Sequence, residues 1–147
     1  IDAHFQRASI IMDGLSRGFK DPIFNSKVVL NDSDFVIRES DKEKLPTHTY
    51  FLRAKAGFYE NIKNAPQNAT PEYAVNTSLL NQVVDDIDNY LNKWGEGTWK
   101  KHHPEAFFIK GVSLVFTGYN KEGCISLKKS KDLNHPQANY WFNKWCN

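Results

Sequence analysis

The chain has 147 residues, 40% of them hydrophobic and 24% charged, with a formal charge of +2 at pH 7. That length supports one hydrophobic core in a single globular domain over 1–147, and so small a charge, with acids and bases interspersed, gives no reason to expect a nucleic-acid partner. No run reaches transmembrane length and no signal peptide is present; because the chain starts at Ile1 rather than Met, it reads as a soluble fragment or processed product, tied to a membrane only through a missing upstream segment.

Residues 3–20 place Phe5, Ala8, Met12, Leu15 and Phe19 at three- and four-residue intervals, which predicts a helix. Gly14 and Gly18 weaken it and Asp21-Pro22 ends it. Strand material follows at Val28–Leu30 and Phe35–Ile37, with Asn31-Asp32-Ser33-Asp34 as the turn between and Arg38–Lys44 as a solvated charged loop. Residues 49–63 are rich in aromatics but carry Phe51, Ala54, Phe58 and Ile62 at helical spacing, so a helix is expected despite Gly57. A second long helix over 71–94 has Thr70 as N-cap, Pro71 in the first turn and Gly95 as its stop. Leu80, Val83, Val84, Ile87, Leu91 and Trp94 form its apolar stripe, and the acids Asp85, Asp86 and Asp88 belong to its solvated side. After the turn GEGTW, Val112, Leu114 and Phe116 alternate with Ser113, Val115 and Thr117. A turn over Tyr119–Gly123 and a return strand from Cys124 complete a predicted β-hairpin. The expected fold is α+β: the N-terminal helix and the second long helix packed on an antiparallel β-sheet.

Chemistry is sparse. No nucleophile elbow, phosphate loop or H-E-x-x-H motif occurs, and the 14% aromatic content gives the core its volume without a metal, so no cofactor and no metal are expected. His102 or His103 could meet Glu60 or Glu105 only through the fold, and His4 and His48 have no recognisable partners. Asn31, Asn68 and Asn76 open glycosylation sequons, of which Asn76 falls inside the predicted helix. Cys124 and Cys146 leave two states open, a structural disulfide or two free thiols. The exposed terminal position of Cys146 favours the disulfide, worth about 3 kcal/mol, and with it an oxidising compartment. Tyr119 and Lys121 beside the turn, with Tyr140, Trp141 and Trp145 in the tail, form the candidate interaction surface, since so much loose aromatic area calls for packing or a partner.

LVFTGYNKEGCISL with Cys124, and WFNKWCN with Cys146, resemble the C-terminal region of a type IV pilin or pilin-like subunit, with the 71–94 helix similar to that of the type IVb branch. The resemblance implies an N-terminal helix lying on an antiparallel sheet and a C-terminal disulfide. It further implies a non-catalytic structural or assembly-initiating subunit of a cell-surface filament, extracellular or periplasmic, whose partners are other filament subunits. The competing expectation is a secreted or periplasmic ligand- or protein-binding domain, a sensor or effector, using the Tyr140–Trp145 cluster to hold a protein partner.

Overall fold

The computed structural model describes residues 1–63, 76–94 and 100–147, and every described element is helical. In chain order these are α1 (Asp2–Ser16), α2 (Ser26–Glu39), α3 (His48–Phe58, continued as a π-helical turn over Tyr59–Lys63), α4 (Thr77–Trp94), α5 (His103–Phe116, preceded by a 3-10 turn over Lys100–His102), α6 (Asn120–Asp132) and α7 (Ala138–Trp145). No antiparallel sheet exists among the described residues, so the α+β expectation is overturned. The N-cap at Thr70, Pro71, the sequon at Asn68 and the turn 95–99 lie outside the described residues.

Both predicted strand pairs are helices, and the reasons differ. In α2, the supposed turn Asn31–Asp34 is mid-helix: Val29, Asp32, Ser33 and Val36 recur at helical spacing and are all buried. Asp32 is there because α1 supplies His4 and Arg7 to it, which turns a turn-forming residue into a buried anchor. Asn31 is therefore an exposed helix residue and not part of a turn. In α5, an apolar run is read equally well as a strand or as a buried helix. Burial on several sides, at Ala106, Phe108, Ile109, Val112, Val115 and Phe116, selects the helix. Gly118, read as a hairpin turn, adopts φ 92° one residue past the α5 cap. There Tyr119 N–H bonds to Leu114 O (2.8 Å) and Gly118 N–H to Val115 O (3.2 Å), a Schellman ending. Gly18 (φ 79°) closes α1 and Asn134 (φ 65°) closes α6 in the same way.

Successive helices pair as antiparallel hairpins, α1 with α2, α3 with α4 and α5 with α6, while α1, α3, α5 and α7 also touch in turn. One core lies between α1, α2 and one side of α3, around Met12, Val29 and Leu52. The other runs from the opposite side of α3 through α4 and α5 to α6 and α7, around Phe51, Ile87, Val112 and Leu127. Of the stripe predicted for 71–94, Leu80, Val83 and Ile87 are buried in α4, Tyr90 joins them, and Val84 and Leu91 are half-buried. Asn76 stands outside α4 as a cap, accepting from Leu79 N–H at 3.0 Å. The solvated-side expectation fails at Asp86, which is only 1% exposed. It takes two hydrogen bonds from Arg53, both at 2.8 Å. Asp85 is exposed as expected, and Asp88 pairs with Lys110 at 2.6 Å.

At the α5–α6 crossing, Gly111 and Gly123 bring the backbones together. A Cβ on Gly111 would sit 2.9 Å from Gly123 O, and one on Gly123 would sit 2.8 Å from Gly111 O. Only glycine permits that approach. Cys124 and Cys146 are joined (S–S 2.09 Å), tying the end of α7 to α6.

Candidate functional site

A groove of about 480 Å³ opens where α3, the first turn of α5 and the α6–α7 connection meet beside the end of α1. Its polar lining includes Lys55 and Tyr59 of α3 and its π-helical continuation, Lys101 and Glu105 around the start of α5, and His135. Lys55 lies at the i+4 position from Phe51, on the packed side of α3, and is only 8% exposed. Its ammonium stands 2.9 Å from Glu105 Oε1 and 5.9 Å from the centre of the Phe51 ring. An ammonium has three N–H donors, so one carboxylate oxygen does not saturate it. The Asn134 turn sets His135 flat against Phe108, with centroids 4.3 Å apart. His135 Nδ1 accepts from Gln137 N–H at 3.2 Å, which puts the ring proton on Nε2. Burial holds His135 below the usual histidine range, with Lys55 adding to the effect and Glu105 opposing it.

Beside this groove, the seam between α3 and α5 is a cluster of rings. His48 and His102 approach to 5.0 Å, and Phe51 lies 5.4 Å from His102. Burial, reinforced by His102, Lys55 and Lys101, lowers His48 to about 4; burial also lowers His102. His103 is buried against Tyr90 and Phe107. Of the two acids proposed to meet the histidine pair, Glu105 pairs with Lys55 and also acts electrostatically on His102, whereas Glu60 accepts from Ser26 Oγ. Among the described residues no group of three His, Cys, Asp or Glu side chains is placed to hold a metal ion.

The interaction surface expected from sequence gathers at the end of the molecule formed by α6 and α7. Tyr119 and Lys121 flank the start of α6, where Asn120 Nδ2 reaches Trp145 O at 3.4 Å. Trp141 and Trp145 are half-buried against the core, Trp141 beside Phe116 at 5.9 Å, whereas Tyr140 is 62% exposed. Lys144 lies over the rings of Tyr140 (5.7 Å), Trp141 (5.9 Å) and Trp145 (4.9 Å). Sequence reasoning missed Lys55 and His135 as groove residues. The signal for Lys55 was present: a lysine in register with Phe51 and Phe58 falls on a buried stripe. His135 carried none, because its place depends on the α6 cap. Comparison with known protein families, with curated proteins and with solved structures finds no match.

Proposed function

We propose that the chain is a non-catalytic protein-binding domain of an oxidising compartment, holding an extended, acidic stretch of a partner chain in the groove beside Lys55. Stacked helical hairpins lend themselves to this use, since their helices build an extended surface on a rigid frame. The observation that carries the reading is Lys55, a buried ammonium in a groove wall with a single carboxylate oxygen beside it. A buried cation gains strongly from further hydrogen-bonding oxygens, and Lys101 and His135 line the same groove. The Cys124–Cys146 link suits export, where disulfides persist. It also suits the second reading, a pilus-like filament subunit whose tail stays attached under load, although the sheet implied by that resemblance is absent among the described residues.

The test is selection of displayed random peptides on the oxidised protein. Peptides carrying Asp or Glu are expected to be enriched, and Lys55→Gln is expected to weaken them about tenfold, the size of one charge-assisted hydrogen bond. Enrichment without acidic residues, or binding indifferent to Lys55, overturns the reading.

A further inference from the structure

Charge is divided unevenly along the chain. Residues 100–147 carry eight lysines against three acids, a balance of +5, whereas residues 1–99 carry eleven basic against fourteen acidic residues, a balance of −3. The excess sits on the helices that close one end of the molecule. On α6, Lys121, Lys128 and Lys129 are exposed, and they flank Ile125 at the i−4, i+3 and i+4 positions of one helical face. Lys128 has Asp132 at 3.1 Å as an exposed neighbour, a pairing worth little in water. Lys131 lies over the Phe142 ring at 4.8 Å and so joins that face to α7, where Lys144 covers the aromatic rings.

The same end holds four of the large hydrophobic side chains left in solvent: Tyr119, Ile125 (52% exposed), Leu133 and Tyr140. The disulfide prevents α7 from turning its rings away. Lysines from 121 to 131 spread over about 15 Å of helix, beyond the screening length of about 8 Å in physiological salt. A single acidic side chain cannot engage them together; an extended anionic surface can. A nucleic acid or a polyanionic glycan would satisfy the lysines but offers nothing to Ile125 and Leu133. The boundary between headgroups and acyl chains takes aliphatic and aromatic side chains alike, with lysine stems lying along it.

We propose that the α6–α7 end is a docking surface for a membrane rich in anionic headgroups, with Lys121, Lys128, Lys129 and Lys144 meeting the headgroups while Ile125 and Tyr140 enter the interface. Docking is peripheral, since among the described residues no helix is long and apolar enough to cross a membrane. These six residues all lie outside the lining of the groove, which takes only Leu133 from the exposed apolar side chains of this end.

The experiment is co-sedimentation of the disulfide-intact chain with phosphatidylcholine vesicles, with and without phosphatidylglycerol, alongside tryptophan emission. Binding is expected only with phosphatidylglycerol, weakening as salt rises, with a blue shift from Trp141 and Trp145. The triple variant K121Q/K128Q/K129Q should lose about a hundredfold in partitioning, roughly fivefold per lysine. Ile125→Ser with Tyr140→Ser should weaken vesicle binding while leaving retention on heparin unchanged. Lys27→Gln, an exposed lysine of α2, should alter nothing, and Lys55→Gln should weaken peptide capture about tenfold yet keep vesicle binding, which separates this inference from the groove. Circular dichroism of each surface variant should match the parent. Absence of binding at low salt, equal binding to neutral vesicles, a triple variant that binds like the parent, or indifference to the Ile125 and Tyr140 changes overturns the proposal; the last result, with heparin retained, would assign the surface to a soluble polyanion.

Discussion

The hairpins α1–α2 and α3–α4 are fastened differently from α5–α6 and its appended α7. In each of the first two, a buried aspartate on the second helix meets nitrogen-bearing side chains on the first: Asp32 with Arg7 and His4, Asp86 with Arg53. Hydrogen bonds from Arg7 hold Asp32 below the usual carboxylate range, helped by His4 and opposed by burial. Burial pushes Asp86 upward, and the Arg53 fork opposes it. Among the described residues the third hairpin has no such pair at its crossing; two glycines let backbones touch, and a covalent bond secures the last helix. One architecture is therefore held by two chemistries. Buried ion pairs fix which helices meet at the cost of desolvation, whereas glycine contacts gain dispersion without charge but order a flexible residue.

The largest test of that contrast is Arg53→Met. It leaves the Asp86 carboxylate buried without its partner and should destabilise by about 3–5 kcal/mol, read from urea unfolding. Adding Asp86→Leu should return most of the loss. If Arg53→Met costs little, the aspartates are not the fastening. Next in size, replacing Cys124 and Cys146 together by serine should cost about 3 kcal/mol. Hydrogen exchange should show the loss concentrated in α7, which is short and packs on α5 and α6; protection lost first in α1–α4 would erase the distinction between the two regions.

The smallest effect concerns the seam between them. Folding lowers His48 from an ordinary 6.5 to about 4, so between those values the unfolded chain binds a proton that the folded chain does not. Stability should therefore fall as pH drops from about 6.5 to about 4, by about 1 kcal/mol once partial solvent contact is allowed for. His48→Phe, which keeps a ring beside Phe51, should remove that part of the slope in pH-dependent thermal melts. A slope unchanged by the substitution would mean that the seam titrates elsewhere.

Much of this was legible along the chain. The periodicities of 3–20, 49–63 and 71–94 gave helices where α1, α3 and α4 lie, because an amphipathic helix writes its buried face at 3.6-residue spacing. The cysteine pair was also readable as a disulfide. The candidate surface was legible as residues, Tyr119, Lys121, Tyr140, Trp141 and Trp145, but not as a shape. Gly118 was read as a strand turn although a glycine past an apolar helix is an equally good cap.

By itself, then, the sequence determined three helices and the position of the aromatic tail and favoured the cysteine link over two free thiols, all from local spacing and side-chain chemistry. Tertiary structure alone decided that α2, α5 and α6 are helices, that Asp32 and Asp86 are buried, and that Lys55, Glu105 and His135 share a groove. In each case the local signal was balanced between two readings. Partners distant in the chain broke the tie: His4 and Arg7 for Asp32, Arg53 for Asp86, and the Gly111–Gly123 contact for the last hairpin.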